Sequence, residues 1–159
     1  MRVLAIDPGY ERIGIAVIEK EMVGEEVLLY SDCFRTKKNK TFDSRLLSIG
    51  EEITKIIKKY KPDVLSIETL YFNTNQKTAL QVAEVRGMIK YISTAYGLSV
   101  FEYTPLQVKN AVVGYGKGTK EQVAYMVKQL ITIKKNIRLD DEYDAIAIGL
   151  TCCASVHKF

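Results

Sequence analysis

Residues 2–7, RVLAID, are apolar for four positions and then end in a carboxylate, and after Pro8 and Gly9 the chain enters a second apolar run, RIGIAVIEK (12–20). A third run, EVLLYSDCFR (26–35), follows closely, and all three are rich in the β-branched and aromatic residues that strands favour. Connections this short join antiparallel neighbours, because a parallel pair needs a crossover of a dozen or more residues. The chain therefore begins as an antiparallel meander whose first strand ends on an acid. From residue 41 onward helical and strand periods alternate, which predicts a mixed five-stranded sheet flanked by helices, an α/β fold.

The alternation is specific. In TFDSRLLSIGEEITKIIKKY (41–60), Leu46, Ile49, Ile53, Ile56, Ile57 and Tyr60 recur at helical spacing, with Thr41 as N-cap. DVLSIE (63–68) is a short strand ending in a second carboxylate, Glu68. A helical stretch from about Lys77 to Tyr96 is too densely apolar for a one-sided surface helix and is expected to bury two faces. LSVFEY (98–103) is a fifth strand. TPLQVKNAVV is a helix with Thr104 at N-cap and Pro105 at N1, EQVAYMVKQLI is another, and DDEYDAIAIGLTCCAS closes the order, with Asp140 as its expected N-cap. With 159 residues, no repeat and no Pro- or Ser-rich linker, the expectation is one domain over residues 1–159. No apolar run is long enough to span a bilayer and the N-terminus lacks a signal-peptide pattern, so the expected compartment is the cytoplasm.

Composition narrows the chemistry. The single histidine, His157, excludes a His-rich zinc site and argues against Ser-His-Asp or Cys-His catalysis. Cys33, Cys152 and Cys153 have no C-x-x-C spacing and are expected to be buried thiols. The net charge of +4 is unevenly distributed: residues 71–138 carry ten Lys/Arg against three Glu, and the remainder thirteen basic against sixteen acidic. A basic surface suited to phosphates beside an acidic cluster fits that split; a solvated basic face with no partner fits it equally.

The acids fall at element ends: Asp7, Glu68, and the pair Asp141 and Asp144, which three-residue spacing sets on one face of a first helical turn. Carboxylates brought together repel one another unless a cation lies among them. Mg²⁺ takes a few carboxylates with water and phosphate oxygens, and a pair of such ions roughly 4 Å apart serves an in-line phosphodiester hydrolysis. Each acid also has a plain structural use: Asp7-Pro8-Gly9 fits a β-turn, Asp140 or Asp141 fits an N-cap, and Glu68 fits the start of a solvated loop.

IDPGYERIGIAVIE, LSIETLYFNTN, ALQVAEVRG, FEYTPLQVKNAVVGYGKGTKEQVAYMV and DDEYDAIAIGLT, in this order and spacing, resemble the RuvC Holliday-junction resolvases over nearly the whole chain. The resemblance implies a ribonuclease-H-like fold, a homodimer, and Mg²⁺-dependent paired nicking of four-way DNA junctions in recombination and repair. Two ions per site are implied, with Mn²⁺ as a candidate substitute, and a RuvA-RuvB branch-migration motor as a candidate partner. It assigns catalysis and metal ligation to Asp7, Glu68, Asp141 and Asp144, and DNA-backbone contacts near the scissile phosphate to Lys109 and Lys120. Tyr71 matches an aromatic that wedges against bases at the opened junction; Phe72 beside it is a second DNA contact or a core residue. Two other readings stay open. The RuvX/YqgF ribosomal-RNA-processing group shares the opening motif, and a catalytically silent binding module would need only the basic face and Tyr71. GYGKGTK does not fit a P-loop, so no nucleotide cofactor is implied.

Overall fold

The computed structural model describes residues 1–21, 26–70 and 76–156. Its elements are β1 (Arg2–Asp7), β2 (Arg12–Lys20), β3 (Glu26–Arg35), α1 (Phe42–Tyr60), β4 (Val64–Glu68), α2 (Gln76–Ala95), β5 (Ser99–Tyr103), α3 (Pro105–Val113), α4 (Lys120–Leu130) and α5 (Asp140–Ser155). The five strands form one sheet in the order β3-β2-β1-β4-β5. β1, β2 and β3 pair antiparallel, as their short connections require, while β4 and β5 run parallel to β1 after helical crossovers.

Strand alternation divides the core in two. Leu4, Ile6, Ile15, Val17, Leu65 and Ile67 face α1 and α2, packing with Ile49, Ile53, Val85 and Ile89. Val3, Ala5, Ala16, Ile18 and Val64 face the other way and pack with α3, α4 and α5. With both faces covered, β1 and β4 read as continuous apolar runs rather than alternating ones. α5 is buried almost all round, from Ala145 through Cys153. It approaches the sheet closely because its contact face is small: a Cβ on Gly149 would stand 2.7 Å from Ile18 Cδ1 and 3.1 Å from Ala5 Cβ. Ser66 of β4 donates from Oγ to the Ile148 carbonyl at 3.1 Å, tying the helix to the sheet centre.

Caps set the helix starts. Thr41 Oγ1 accepts from the Ser44 amide at α1, and Thr104 and Thr119 make complete capping boxes with Gln107 and Gln122 at α3 and α4. α5 departs from expectation. Its N-cap is Leu139, with no side-chain cap bond, and Asp140 is already the first helical residue. The Asp140 carboxylate accepts a charge-assisted hydrogen bond from Lys120 Nζ at 2.5 Å. α2 also differs within the isolated chain. Val85, Ile89 and Ser93 are buried, but Leu80 and Tyr91 on the opposite side are 73% and 75% exposed. Cys152 and Cys153 are buried as expected; Cys33 is half-buried on the edge strand β3.

Candidate active site

The positions of Asp7 and Glu68 follow from the period of two. Val3 and Ala5 point towards α5, so Asp7, two residues on, leaves the strand end on that same face; Val64 and Ser66 do likewise, and Glu68 continues their series. The parallel register pairs Ile6 with Ile67, which brings the two carboxylates to adjacent strand ends. Carboxyl ends of parallel strands are where open α/β sheets form their sites. α5 completes the arrangement from above. Asp7 pairs across the hairpin with Gly14, and Gly14 is where the start of α5 rests: a Cβ there would stand 1.9 Å from the Asp141 carbonyl oxygen and 3.1 Å from Ala145 Cβ.

Electrostatics bind the four acids into one group. Burial raises the Asp7 carboxyl well above its ordinary range, and Glu68, Asp144 and Asp141 push it further in that order. Burial, then the Asp144 charge, lifts Glu68 to about 7, against the opposing pull of Lys109 and Lys120. Asp144 is raised by burial, with Lys120 resisting and Asp140 and Asp141 adding to the rise. Asp141 is held differently, with Arg12 Nη1 at 3.4 Å and the Cys33 thiol at 3.8 Å from its Oδ2.

Lys120, the first residue of α4, reaches into this cluster. Its ammonium lies 2.5 Å from Asp140 and 3.6 Å from Asp144, and the Asp140 hydrogen bond is the main reason its own pKa rises. Lys109 on α3 is half-buried and near enough to lower Glu68. Both lysines expected to serve the scissile phosphate thus stand beside the acids. Tyr71 and Phe72 lie outside the described residues, as does His157.

The donor set suits a hard cation. All four ligand candidates are carboxylates, and at least three of them are held against their own charge, a penalty that a divalent ion among them removes. Among the described residues, no three His, Cys, Asp or Glu side chains already stand close enough together to enclose an ion. Mg²⁺ tolerates this, since it typically takes one or two carboxylates and completes its shell with water and phosphate oxygens.

Sequence reading missed Arg12, Cys33 and Gly14. Their signal was present in the hairpin: once β1 ends on Asp7, antiparallel pairing with β2 and then β3 brings residues 12–14 and 33 beside it. It also missed Arg86 of α2, whose Nε donates to the Glu68 carbonyl at 3.1 Å, a contact between elements that no local pattern announces.

Comparison with known proteins identifies the family. A family model described as crossover junction endodeoxyribonuclease RuvC matches residues 3–152. Curated proteins of that description include one from Ruminiclostridium cellulolyticum, 40% identical over 99% of this chain and 94% of the relative, and one from Thermosipho melanesiensis, 40% identical over the full length of both. Among solved structures, Thermus thermophilus RuvC in complex with a Holliday junction substrate superposes with a TM-score of 0.87 at 28% identity, covering 95% of this chain and 92% of that one. The yeast mitochondrial Holliday junction resolvase Ydc2 shares the fold at a TM-score of 0.72 and 16% identity, over 96% of this chain and 77% of its own. On the strength of the family model and these relatives, the chain belongs to the RuvC family of crossover junction endodeoxyribonucleases.

Proposed function

We propose that this chain resolves four-way DNA junctions as a homodimer, with Asp7, Glu68, Asp141 and Asp144 holding two Mg²⁺ ions at each scissile phosphate. The observation that carries this reading is the convergence of Asp7 and Glu68, from adjacent parallel strand ends, on the first turn of α5. When bound, the ions supply activation of the attacking water and charge neutralisation at the leaving oxygen. The chain's own part is to fix the four carboxylates on rigid elements and to bring cations to the phosphate. Lys109 and Lys120 stand where an ammonium offsets negative charge developing on the phosphate and leaving oxygen. With a phosphate bound, Lys120 exchanges its ion pair with Asp140 for one with the substrate. Tyr71 and Phe72 lie three and four residues beyond Glu68 in the chain and supply stacking surfaces for junction bases.

Dimerisation gives the reaction its symmetry. A two-fold axis relates two identical sites as opposed strands of a junction are related, so one polypeptide makes two matched nicks. The exposed stripe of α2 that includes Leu80, Gly87 and Tyr91 is the surface we assign to the partner subunit. We further infer one domain over residues 1–159, action in the cytoplasm, Mn²⁺ as a substitute ion and a RuvA-RuvB motor on the same DNA. No described helix is long and apolar enough to cross a membrane.

The test incubates the protein with a synthetic four-way junction, matched linear duplex and an RNA control, with and without Mg²⁺, beside Asp7→Asn. Paired Mg²⁺-dependent nicks at the junction, absent in Asp7→Asn, are expected. Cleavage confined to RNA, or junction binding without cuts in Mg²⁺, would overturn the reading.

A further inference from the structure

Arg86 joins three elements at one guanidinium. It projects from the middle of α2; its Nε donates to the backbone carbonyl of Glu68 at 3.1 Å, and its Nη2 pairs with the carboxylate of Glu102 on β5. Lys90, one helical turn further on, pairs with the same carboxylate, which together with Arg86 holds Glu102 below its ordinary pKa. The side chain is only 17% exposed, and its contact with the Glu68 carbonyl is partly buried, whereas Glu102 stays at the surface.

The Glu68 peptide needs such a hold. Pairing between β1 and β4 ends at Ile6 and Ile67, and Glu68 is the first residue beyond it. On its other side β5 remains: Glu68 lies opposite Tyr103, and the Thr69 amide donates to the Tyr103 carbonyl at 2.9 Å. The strand end is therefore fixed by the ladder on one side and by Arg86 on the helix layer. Displacement of this strand end would carry the Glu68 Cα, and with it the carboxylate, away from Asp7 and Asp144.

We propose that Arg86 is a positioning residue for Glu68: through the Glu68 carbonyl it sets where that carboxylate stands in the site. The inference rests on the reading of Glu68 as a metal ligand. It also links function to assembly, because α2 carries the Leu80–Tyr91 stripe on its exposed side and Arg86 on the side that meets the strand ends. A partner seated on that stripe steadies the helix from which Glu68 is held. If Arg86 served only to anchor α2, its loss would lower stability without a selective effect on metal binding or on the chemical step.

The test compares Arg86→Lys, Arg86→Gln and Glu68→Gln with the parent. Lys at 86 keeps a cation for Glu102 but has a single donor centre in place of the planar fork; in both Arg86 variants Lys90 leaves Glu102 paired. Four quantities are read: single-turnover cleavage at saturating junction, junction affinity, Mg²⁺ affinity by calorimetry without DNA, and melting temperature in EDTA. For Arg86→Lys, cleavage rate and Mg²⁺ affinity are expected to fall roughly 10- to 100-fold, as for loss of other groups that orient metal ligands. Junction affinity and melting temperature should stay at the parent value. Parental cleavage and Mg²⁺ affinity in Arg86→Lys, with Glu68→Gln inactive, would overturn this inference alone. Cleavage surviving in Glu68→Gln would overturn it together with the assignment of the site. Should Arg86→Gln fail to fold, Arg86→Lys decides.

Discussion

Glu68 is held so that its neighbours oppose its ionisation, and this has a measurable sign. In the unfolded chain it titrates near 4.5; in the fold, burial and then the Asp144 charge lift it to about 7. The folded protein thus binds a proton more tightly than the unfolded one. The stability this contributes is fully present below pH 4.5 and is lost as pH rises through about 7. Asp7 and Asp144 are raised in the same sense. The melting temperature of the metal-free protein, followed in EDTA, should therefore fall between pH 5 and pH 8, and saturating Mg²⁺ should flatten that slope by stabilising the ionised cluster. Asp7→Asn removes one of the opposed charges without removing an ion pair within hydrogen-bonding reach, so it should abolish cleavage while raising metal-free stability. A gain of about 1 kcal/mol would appear as roughly 2–4 °C in a chain of this size. Asp141 is the poorer choice for that test because its carboxylate is paired with Arg12. At this scale the acids were legible from sequence, since carboxylates closing two apolar strands and opening a helix have few structural uses in combination. The partners of those acids were not, because Lys120 meets Asp140 across a 20-residue separation that only the fold closes.

Elements decide whether those residues meet. Strand and helical periods, with Thr41 and Thr104 as caps, located the sheet and all five helix starts to within a residue or so, because these signals are local. Only the cap of α5 was misread: Asp140 is the first residue inside the helix and Leu139 its N-cap, so the aspartate sits one position too far along to cap it. α5 packs tightly on the hairpin at Gly14, where any side chain would strike the Asp141 carbonyl. Gly14→Ala should displace the first turn of α5. Since a shift of about 1 Å in a reacting group can cost on the order of 100-fold in rate, cleavage should fall by at least that much. The strain should destabilise the fold by about 1–3 kcal/mol, read by urea denaturation. Cleavage near the parental rate in a folded Gly14→Ala protein would show that α5 has freedom the packing denies it.

For the molecule as a whole, the sequence reading of α2 as too apolar for one exposed side was right about composition and wrong about the isolated chain. Leu80 and Tyr91 remain exposed in a single copy, and this is the surface assigned above to a partner subunit. A Leu80→Glu, Tyr91→Lys double variant should sediment as a monomer and make unpaired nicks, with the fold intact by circular dichroism. Paired cleavage by a monomer would remove α2 from the interface. The layout of the acids along the chain has a further consequence. Asp7 and Glu68 belong to the first half, but Asp141 and Asp144 arrive only with α5, the last described element, which must dock against β1 and β2 before they meet their partners. On the proposed assignment of the four acids, a chain whose synthesis has not yet reached α5 carries half a site. The capacity to break DNA is withheld until α5 has been made and has seated itself, so that docking of this helix and onset of activity are one event.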